Sequence, residues 1–304
     1  MVDSVRSYLR DATSYQRLAY AIGALLFLSG LVHLGIFLVG GGPWQGPVSL
    51  RKAITFGLSF GITTISVAWV LTFLPRRRIV GWVLMGVFAF ANATEVGLVT
   101  LQVWRRQPSH FNFALPFDAS VFTAMGISVA LIALVIVAVA IWSLRSLDAP
   151  RSLGVAIRSG LLLLVASQVL GYAIIDNGLG ILEEEGIESP AETTRDLSHL
   201  GEQGALKVPH AVTIHGLQVL PALAWLTQFT RWSERRRTRI VTTAAVAYAG
   251  VCFVSGWQAF HGFATIAFDT GISAVAAVSV LLLVVAFAAV LLALVREGRA
   301  RVAA

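Results

Sequence analysis

The chain has 304 residues, of which 57% are hydrophobic and only 13% are charged, about half the charged fraction of a typical soluble domain. Its apolar residues form long uninterrupted runs, which exclude a soluble globular enzyme and indicate a multi-span membrane protein. The net charge of +7 would fit a nucleic-acid partner only if the basic residues formed one surface. Their distribution along the chain excludes that partner and gives a topology signal instead.

Eight apolar runs each reach the roughly 20 residues that a helix needs to cross a bilayer. They predict an all-α transmembrane bundle with spans at about 17–40, 52–74, 79–104, 118–143, 158–177, 207–230, 240–263 and 271–295. Residues 1–16 precede the first span, and they form either a short interfacial helix or a disordered tail. Eight crossings place both termini on one side, and 17 of the 23 Lys and Arg residues fall there. The positive-inside rule then makes both termini cytoplasmic. Because organelle-targeting features are absent, we expect a multi-pass protein of the bacterial cytoplasmic (inner) membrane.

The two halves of the chain, 17–150 and 151–304, look related. Corresponding positions carry the same or similar residues: Trp69 and Trp225, Gln102 and Gln258, and Pro116-Phe117-Asp118 and Ala267-Phe268-Asp269. Four spans in each half predict a parallel repeat about an axis along the membrane normal. The longest connection, 177–206, is acidic and extracytoplasmic, and it is either a solvated loop or a lid over an outer pocket.

Ionisable and amide side chains lie within the spans, in the half of each that is nearer the extracytoplasmic surface. In hydrocarbon such groups cost several kcal/mol and by default indicate a functional site. They are His33 in the first span, Asn92, Glu95 and Gln102 in the third, His210, His215 and Gln218 in the sixth, and Gln258 and His261 in the seventh. The cytoplasmic halves carry little beyond Ser and Thr. The pattern predicts an outward-facing polar pocket above an apolar floor, which argues against a continuous path for an ion or a polar solute.

Basic residues border this predicted pocket, and they would bind an anionic group such as a lipid phosphate or a haem propionate. The alternative is ordinary contact with lipid head groups. His33, His215 and His261 lie on three different spans and could supply two axial ligands of a haem b. The rim residues in that hypothesis are Arg51, Arg105, Arg106 and Lys207. The competing interpretation is that each histidine only makes hydrogen bonds within a packed core.

Three functions therefore remain open. The first is binding of haem b or a similar redox cofactor. The second is a transporter, or a protein that binds a lipid or small molecule, with Glu95 as its proton-linked group. The third is an intramembrane enzyme that acts on a lipid or an isoprenoid, with Glu95 as a catalytic acid or base. In each case Asn92, Gln102, His210, Gln218 and Gln258 would line the substrate pocket.

The sequence has no HExxH and no close cysteine pair, so it indicates a metal centre only weakly. We expect membrane lipids as partners, and the spacing Gly57-x-x-x-Gly61 indicates close helix packing rather than a site.

Overall fold

The computed structural model describes residues 1–265, 267 and 271–302, and these are mostly helical. Within them lie ten α-helices: α1 (Val2–Arg10), α2 (Ser14–Gly40), α3 (Leu50–Val70), α4 (Arg78–Trp104), α5 (Pro116–Ser146), α6 (Arg151–Glu185), α7 (Lys207–Ile214), α8 (Gly216–Thr227), α9 (Glu234–Phe260) and α10 (Ser273–Val302). A 3-10 turn, Leu71–Phe73, follows α3. Strands β1 (His199–Leu200) and β2 (Gly204–Ala205) pair antiparallel between α6 and α7. Phe268, Asp269, Ala303 and Ala304, which belong to the predicted second half, lie outside the described residues.

Seven of these helices, α2 to α6, α9 and α10, are long and apolar enough to cross a membrane. The chain is therefore an all-helical integral membrane protein. The predicted spans match these helices closely where an apolar run is bounded by charges, as at 79–104 against Arg78–Trp104.

Two predicted boundaries need correction. The span at 207–230 is not one continuous helix, because α7 ends at Ile214 and α8 begins at Gly216. The connection at 177–206 is not a loop throughout, because α6 continues to Glu185. Its last residues keep a helical period, with the apolar side chains of Leu179 and Leu182 three positions apart.

Contacts divide the chain into two compact units, and the first contains residues 2–138 and 178–197. Within it, α2 packs along α3, and α4 packs against both. Glycines allow the α2 and α3 backbones to touch: a Cβ added at Gly57 would lie 2.6 Å from the backbone nitrogen of Gly30, and one at Gly61 would lie 2.6 Å from that of Phe27. These contacts confirm the packing interpretation of Gly57-x-x-x-Gly61.

The start of α2 is held against the end of α3 by a buried amide. Gln16 donates from Nε2 to the carbonyl of Ala68 at 2.9 Å, and its Oε1 accepts from the backbone N–H of Thr13 at 3.0 Å. Residues 2–10 form the helical alternative predicted for the N-terminal segment. The ring of Tyr8 lies 5.9 Å from that of Trp69, edge to face, so α1 packs on the same end of α3.

The second unit contains residues 139–177 and 198–304, together with Met1. Its central element is α9, which packs against α7, α8, α10 and the β-hairpin. Glu234, at the start of α9, accepts from the backbone N–H of Ser152 at 2.8 Å and so satisfies one of the free donors at the start of α6. Gly160 lies directly on α8, because a Cβ there would be 2.8 Å from the Cα of Leu217.

Candidate functional site

In the first unit, one face of α4 carries the predicted polar residues into the interior. Asn92 and Glu95 are each 1% exposed, and Gln102 is fully buried. Apolar side chains separate them on the same face, among them Val99, which packs with Val121 and Met125. The polar groups therefore lie within an apolar helix contact rather than in a hydrated channel.

Glu95 is the least satisfied of these groups. Its Oε2 is buried, and it has no hydrogen-bond partner in the part of the chain that the structure describes. Its neighbour one turn away does not help, because Asn92 donates from Nδ2 to the carbonyl of Phe88 in its own helix at 2.6 Å. Glu95 lies nine residues before the end of α4 at Trp104, or about 14 Å at the rise of an α-helix. A buried carboxyl without a partner costs stability and calls for an explanation.

Two turns further along α4 the polar groups form hydrogen bonds and an ion pair with one another. Gln102 donates from Nε2 to Oδ1 of Asp118 at 2.9 Å, and Arg105 forms an ion pair with the same oxygen at 2.5 Å. Arg105 also donates to Oε1 of Gln102, and its guanidinium lies 4.4 Å from the centre of the Phe117 ring. The cation that we predicted for an anionic ligand therefore already has a counter-ion within the protein.

Asp118 is the residue that sequence reasoning overlooked as part of this site. It is 1% exposed, and its Oδ2 has no partner among the described residues. The available signal was its position in the first turn of an apolar span, where an acidic residue suits the helix dipole. That position alone does not identify Gln102 and Arg105 as its partners.

His33 on α2 meets the end of α4. Its Nδ1 lies 2.7 Å from the carbonyl of Ser29, and its Nε2 lies 3.0 Å from the indole nitrogen of Trp104. Because the indole N–H can only donate, Nε2 of His33 must accept and Nδ1 must carry the proton. Both ring nitrogens are then in use, and this arrangement supports the core-packing interpretation of His33.

The connection from α4 to α5 is ordered by buried groups. Arg106 and Phe111 have φ values of 56° and 60°, which are uncommon for residues with a side chain. The Phe111 ring occupies the place of a side chain at Gly178, since a Cβ there would lie 2.6 Å from it. Ser109 and Asn112 are each 1% exposed. Arg51, on the neighbouring helix, donates from Nε to the carbonyl of Trp44 at 3.0 Å.

In the second unit, the interruption between α7 and α8 is at His215. Tyr248 on α9 donates its hydroxyl to the carbonyl of Val212 at 2.6 Å, and so occupies an acceptor that a continuous helix would give to residue 216. Gly216 packs closely against α6 there, because a Cβ would lie 2.6 Å from the side chain of Leu163. The predicted candidate His215 thus lies at the break between α7 and α8. Lys207, the remaining predicted rim cation, is the first residue of α7.

The other predicted pocket residues of this unit contact backbone groups. His210 lies with Nδ1 2.8 Å from the carbonyl of Ser167. Gln218 can donate to the carbonyl of Ile214 at 3.1 Å once its amide is oriented for that bond. Gln258 donates to the carbonyl of Ala267 at 3.1 Å and so closes the turn that follows α9.

His261 ends α9 in a different environment. Its Nδ1 lies 2.8 Å from the carbonyl of Trp257, and its ring stacks on the Trp257 indole at 4.2 Å. The ring is exposed, which leaves Nε2 directed away from these contacts. A backbone carbonyl at one nitrogen is the arrangement that orients ligating histidines at the other.

A haem fits these residues only in part. Trp104 donates to Nε2 of His33, so His33 is the one of the three predicted haem ligands whose two ring nitrogens are both engaged. Among the residues that the structure describes, no comparable bond engages the ring of His215 or the Nε2 of His261. No three His, Cys, Asp or Glu residues within the described ranges lie close enough together to hold a metal ion.

Comparisons with family models, curated proteins and solved structures gave no match for this chain. The geometry of the chain's own side chains, above all that of Glu95, is therefore the basis for inferring its function.

Proposed function

We propose that this membrane protein binds a lipophilic organic cation in exchange for the proton of Glu95. The observation that carries the proposal is the buried carboxyl of Glu95, whose Oε2 has no hydrogen-bond partner in the described part of the chain. An unpartnered ionised carboxylate is expensive in a membrane-embedded helix. The resting state would therefore hold the neutral acid.

Exchange of the Glu95 proton for the ligand cation keeps the charge of the site constant. The O–H bond of the Glu95 acid breaks as the cation arrives, the proton leaves to water, and the carboxylate pairs with the cation. The net charge of the site is the same before and after the exchange. A ligand cation replaces the missing partner, so that the carboxylate becomes stable only when the ligand is bound.

The apolar surroundings of Glu95 favour a lipophilic cation over a metal ion. No group of three His, Cys, Asp or Glu side chains within the described ranges could hold a metal ion, whereas hard metal ions take six or more oxygen ligands.

The topology that goes with this proposal has eight crossings. The interrupted pair α7 and α8 covers Lys207–Thr227, which at 1.5 Å per residue is about 31 Å and matches the hydrocarbon core. Counting the pair as one crossing places both termini on the arginine-rich side, in the cytoplasm of a bacterial cell. Two observations support the 4+4 repeat: Trp69 packs edge to face on Phe73 at 4.9 Å, and Trp225 does so on Phe229 at 4.8 Å.

Proton release on ligand binding tests the exchange directly. Tetraphenylphosphonium is added to the purified protein in weakly buffered detergent with a pH-indicator dye, while binding is measured by equilibrium dialysis. We expect one proton per bound cation, and an affinity that falls by up to about tenfold for each unit that the pH is lowered. Glu95→Gln should abolish both binding and release, and the exposed-acid control Glu192→Gln should retain them.

Binding without proton release, no binding, or full exchange by Glu95→Gln would each refute the proposal. In proteoliposomes, uptake of the cation against an imposed pH gradient would extend the activity from binding to transport.

Haem binding by His215 and His261 is the second candidate, and the exposed ring of His261 favours it, because a backbone carbonyl orients its Nδ1. The experiment is the visible absorption spectrum of the purified protein, oxidised and reduced. A Soret band that disappears in His215→Ala or His261→Ala, and persists in His33→Ala, would support it. A colourless protein from haem-replete cells would remove it. The role of Arg51, Arg106 and Lys207 in binding an anionic group remains a prediction for both candidate functions.

A further inference from the structure

A groove lies within the second unit where α9 begins and α10 ends, and none of the residues discussed above contributes to it. It has a volume of about 300 Å³. One wall is apolar and includes Ala289, Leu292 and Ala293. The opposite end carries Trp232, two guanidinium groups, Arg236 and Arg296, and the carboxylate of Glu297.

The charged end is partly fixed in place. The Arg236 guanidinium stacks on the Trp232 ring at 4.3 Å. Glu297 accepts from the backbone N–H of Arg231 through Oε1 at 2.7 Å. Its second oxygen, Oε2, is buried and has no partner among the described residues. The groove thus has two cations in its lining, and Glu297 beside them holds a buried acceptor that has no donor among the described residues.

Its surroundings place the groove at a bilayer interface. The neighbouring face of α10 is exposed and apolar: Leu291 is 53% exposed, Leu292 is 57% and Val295 is 53%. Arginines follow directly, at Arg296 and Arg299. A tryptophan next to an apolar face that changes to arginines is the pattern of a membrane–water boundary.

We propose that this groove binds a phospholipid whose head group carries a primary amine, of the phosphatidylethanolamine class. The phosphate would lie between Arg236 and Arg296, the ammonium would donate to Oε2 of Glu297, and an acyl chain would follow Leu292 and Ala293. A free phosphate would leave the apolar wall uncovered and would be repelled by Glu297. A choline head group has no N–H to offer that oxygen.

Native mass spectrometry of the detergent-purified full chain tests this assignment. The protein is mixed with equal amounts of phosphatidylethanolamine and phosphatidylcholine that have the same acyl chains. We expect the amine lipid to be preferred at least about tenfold, since a hydrogen bond between charged groups distinguishes the two. Glu297→Gln should reduce the preference to within about twofold and keep binding of both lipids. Arg236→Gln should weaken both, and Arg235→Gln, on the same helix turn, should change neither.

Equal binding of the two lipids by the unaltered protein would overturn the proposal, and so would an unchanged preference in Glu297→Gln. Competition with millimolar inorganic phosphate distinguishes a lipid head-group site from a site for free phosphate. Displacement of the lipid by phosphate alone would reassign the groove to a free anion, whereas retention of the lipid supports a head-group site.

Discussion

The ion pair between Arg105 and Asp118 should stabilise the fold, and the loss on breaking it should depend on which partner is removed. Asp118 is 1% exposed at its side chain, and Arg105 is 33% exposed. Removing one partner of a buried pair typically costs about 3–5 kcal/mol, because the other charge stays buried. For Asp118→Asn we expect a smaller loss of about 2–3 kcal/mol, since the remaining cation reaches solvent and keeps the carbonyl oxygen of Gln102. For Arg105→Gln we expect about 3–4 kcal/mol, since the remaining anion is enclosed.

The double variant distinguishes an ion pair from two independent contributions. With both charges removed, the amide side chains can still bond to Gln102, and we expect a loss of only about 1–2 kcal/mol, well below the sum of the single losses. The assay is SDS titration in mixed micelles, followed by tryptophan fluorescence, with Asp176→Asn as a matched control on an exposed acid. Losses that simply add in the double variant would refute the reasoning, because they would show that the two charges do not interact.

Three further predictions concern Gly57, Trp104 and Glu95. Gly57→Ala should destabilise the protein by about 1–3 kcal/mol, because its Cβ would meet backbone of α2, whereas Gly97→Ala, with open space around it, should be neutral or stabilising in the same SDS titration. Trp104→Phe should expose the Nε2 of His33 to modification by diethylpyrocarbonate, detected by peptide mass spectrometry, and equal labelling of the unaltered protein would contradict the bond assigned there. Glu95→Met should raise the free energy of unfolding by about 1–2 kcal/mol, because it removes a polar group without a partner. A loss of stability in that variant would instead show a structural role for Glu95.

The sequence was sufficient to locate most helices, for a physical reason. A membrane helix must keep roughly 20 apolar residues in hydrocarbon, and the arginines at its end cannot enter it. The span 79–104 was therefore predicted to within one residue of Arg78–Trp104. The break at His215 could not be found in this way, because its cause is a contact with another helix. Pro221 was visible in the sequence, yet the helix is interrupted earlier, where Tyr248 takes the carbonyl of Val212.

The candidate site shows a different limit. Sequence places a residue at a depth and on a face, but it does not say which polar groups satisfy one another. Arg105 looked available for a ligand because Asp118 belongs to another helix, 13 residues away. Trp104 ends α4, and although a partly buried indole N–H usually has an acceptor, the sequence does not say that this acceptor is His33. Pairing rules of this kind could have connected these residues before the structure did.

The distribution of satisfied and unsatisfied groups along α4 is what directs attention to Glu95. Near the end of that helix, Gln102 and Arg105 are joined to Asp118, and Trp104 is joined to His33, so each polar group there contributes to packing. Glu95 lies deeper, and its Oε2 accepts no hydrogen bond in the described part of the chain. If position 95 had only a structural role, an apolar residue would stabilise the fold more than glutamate does, because the carboxyl lowers stability without a compensating hydrogen bond. Conflicts of this kind between local chemistry and fold are expected at functional positions, where the missing partner is supplied by a ligand.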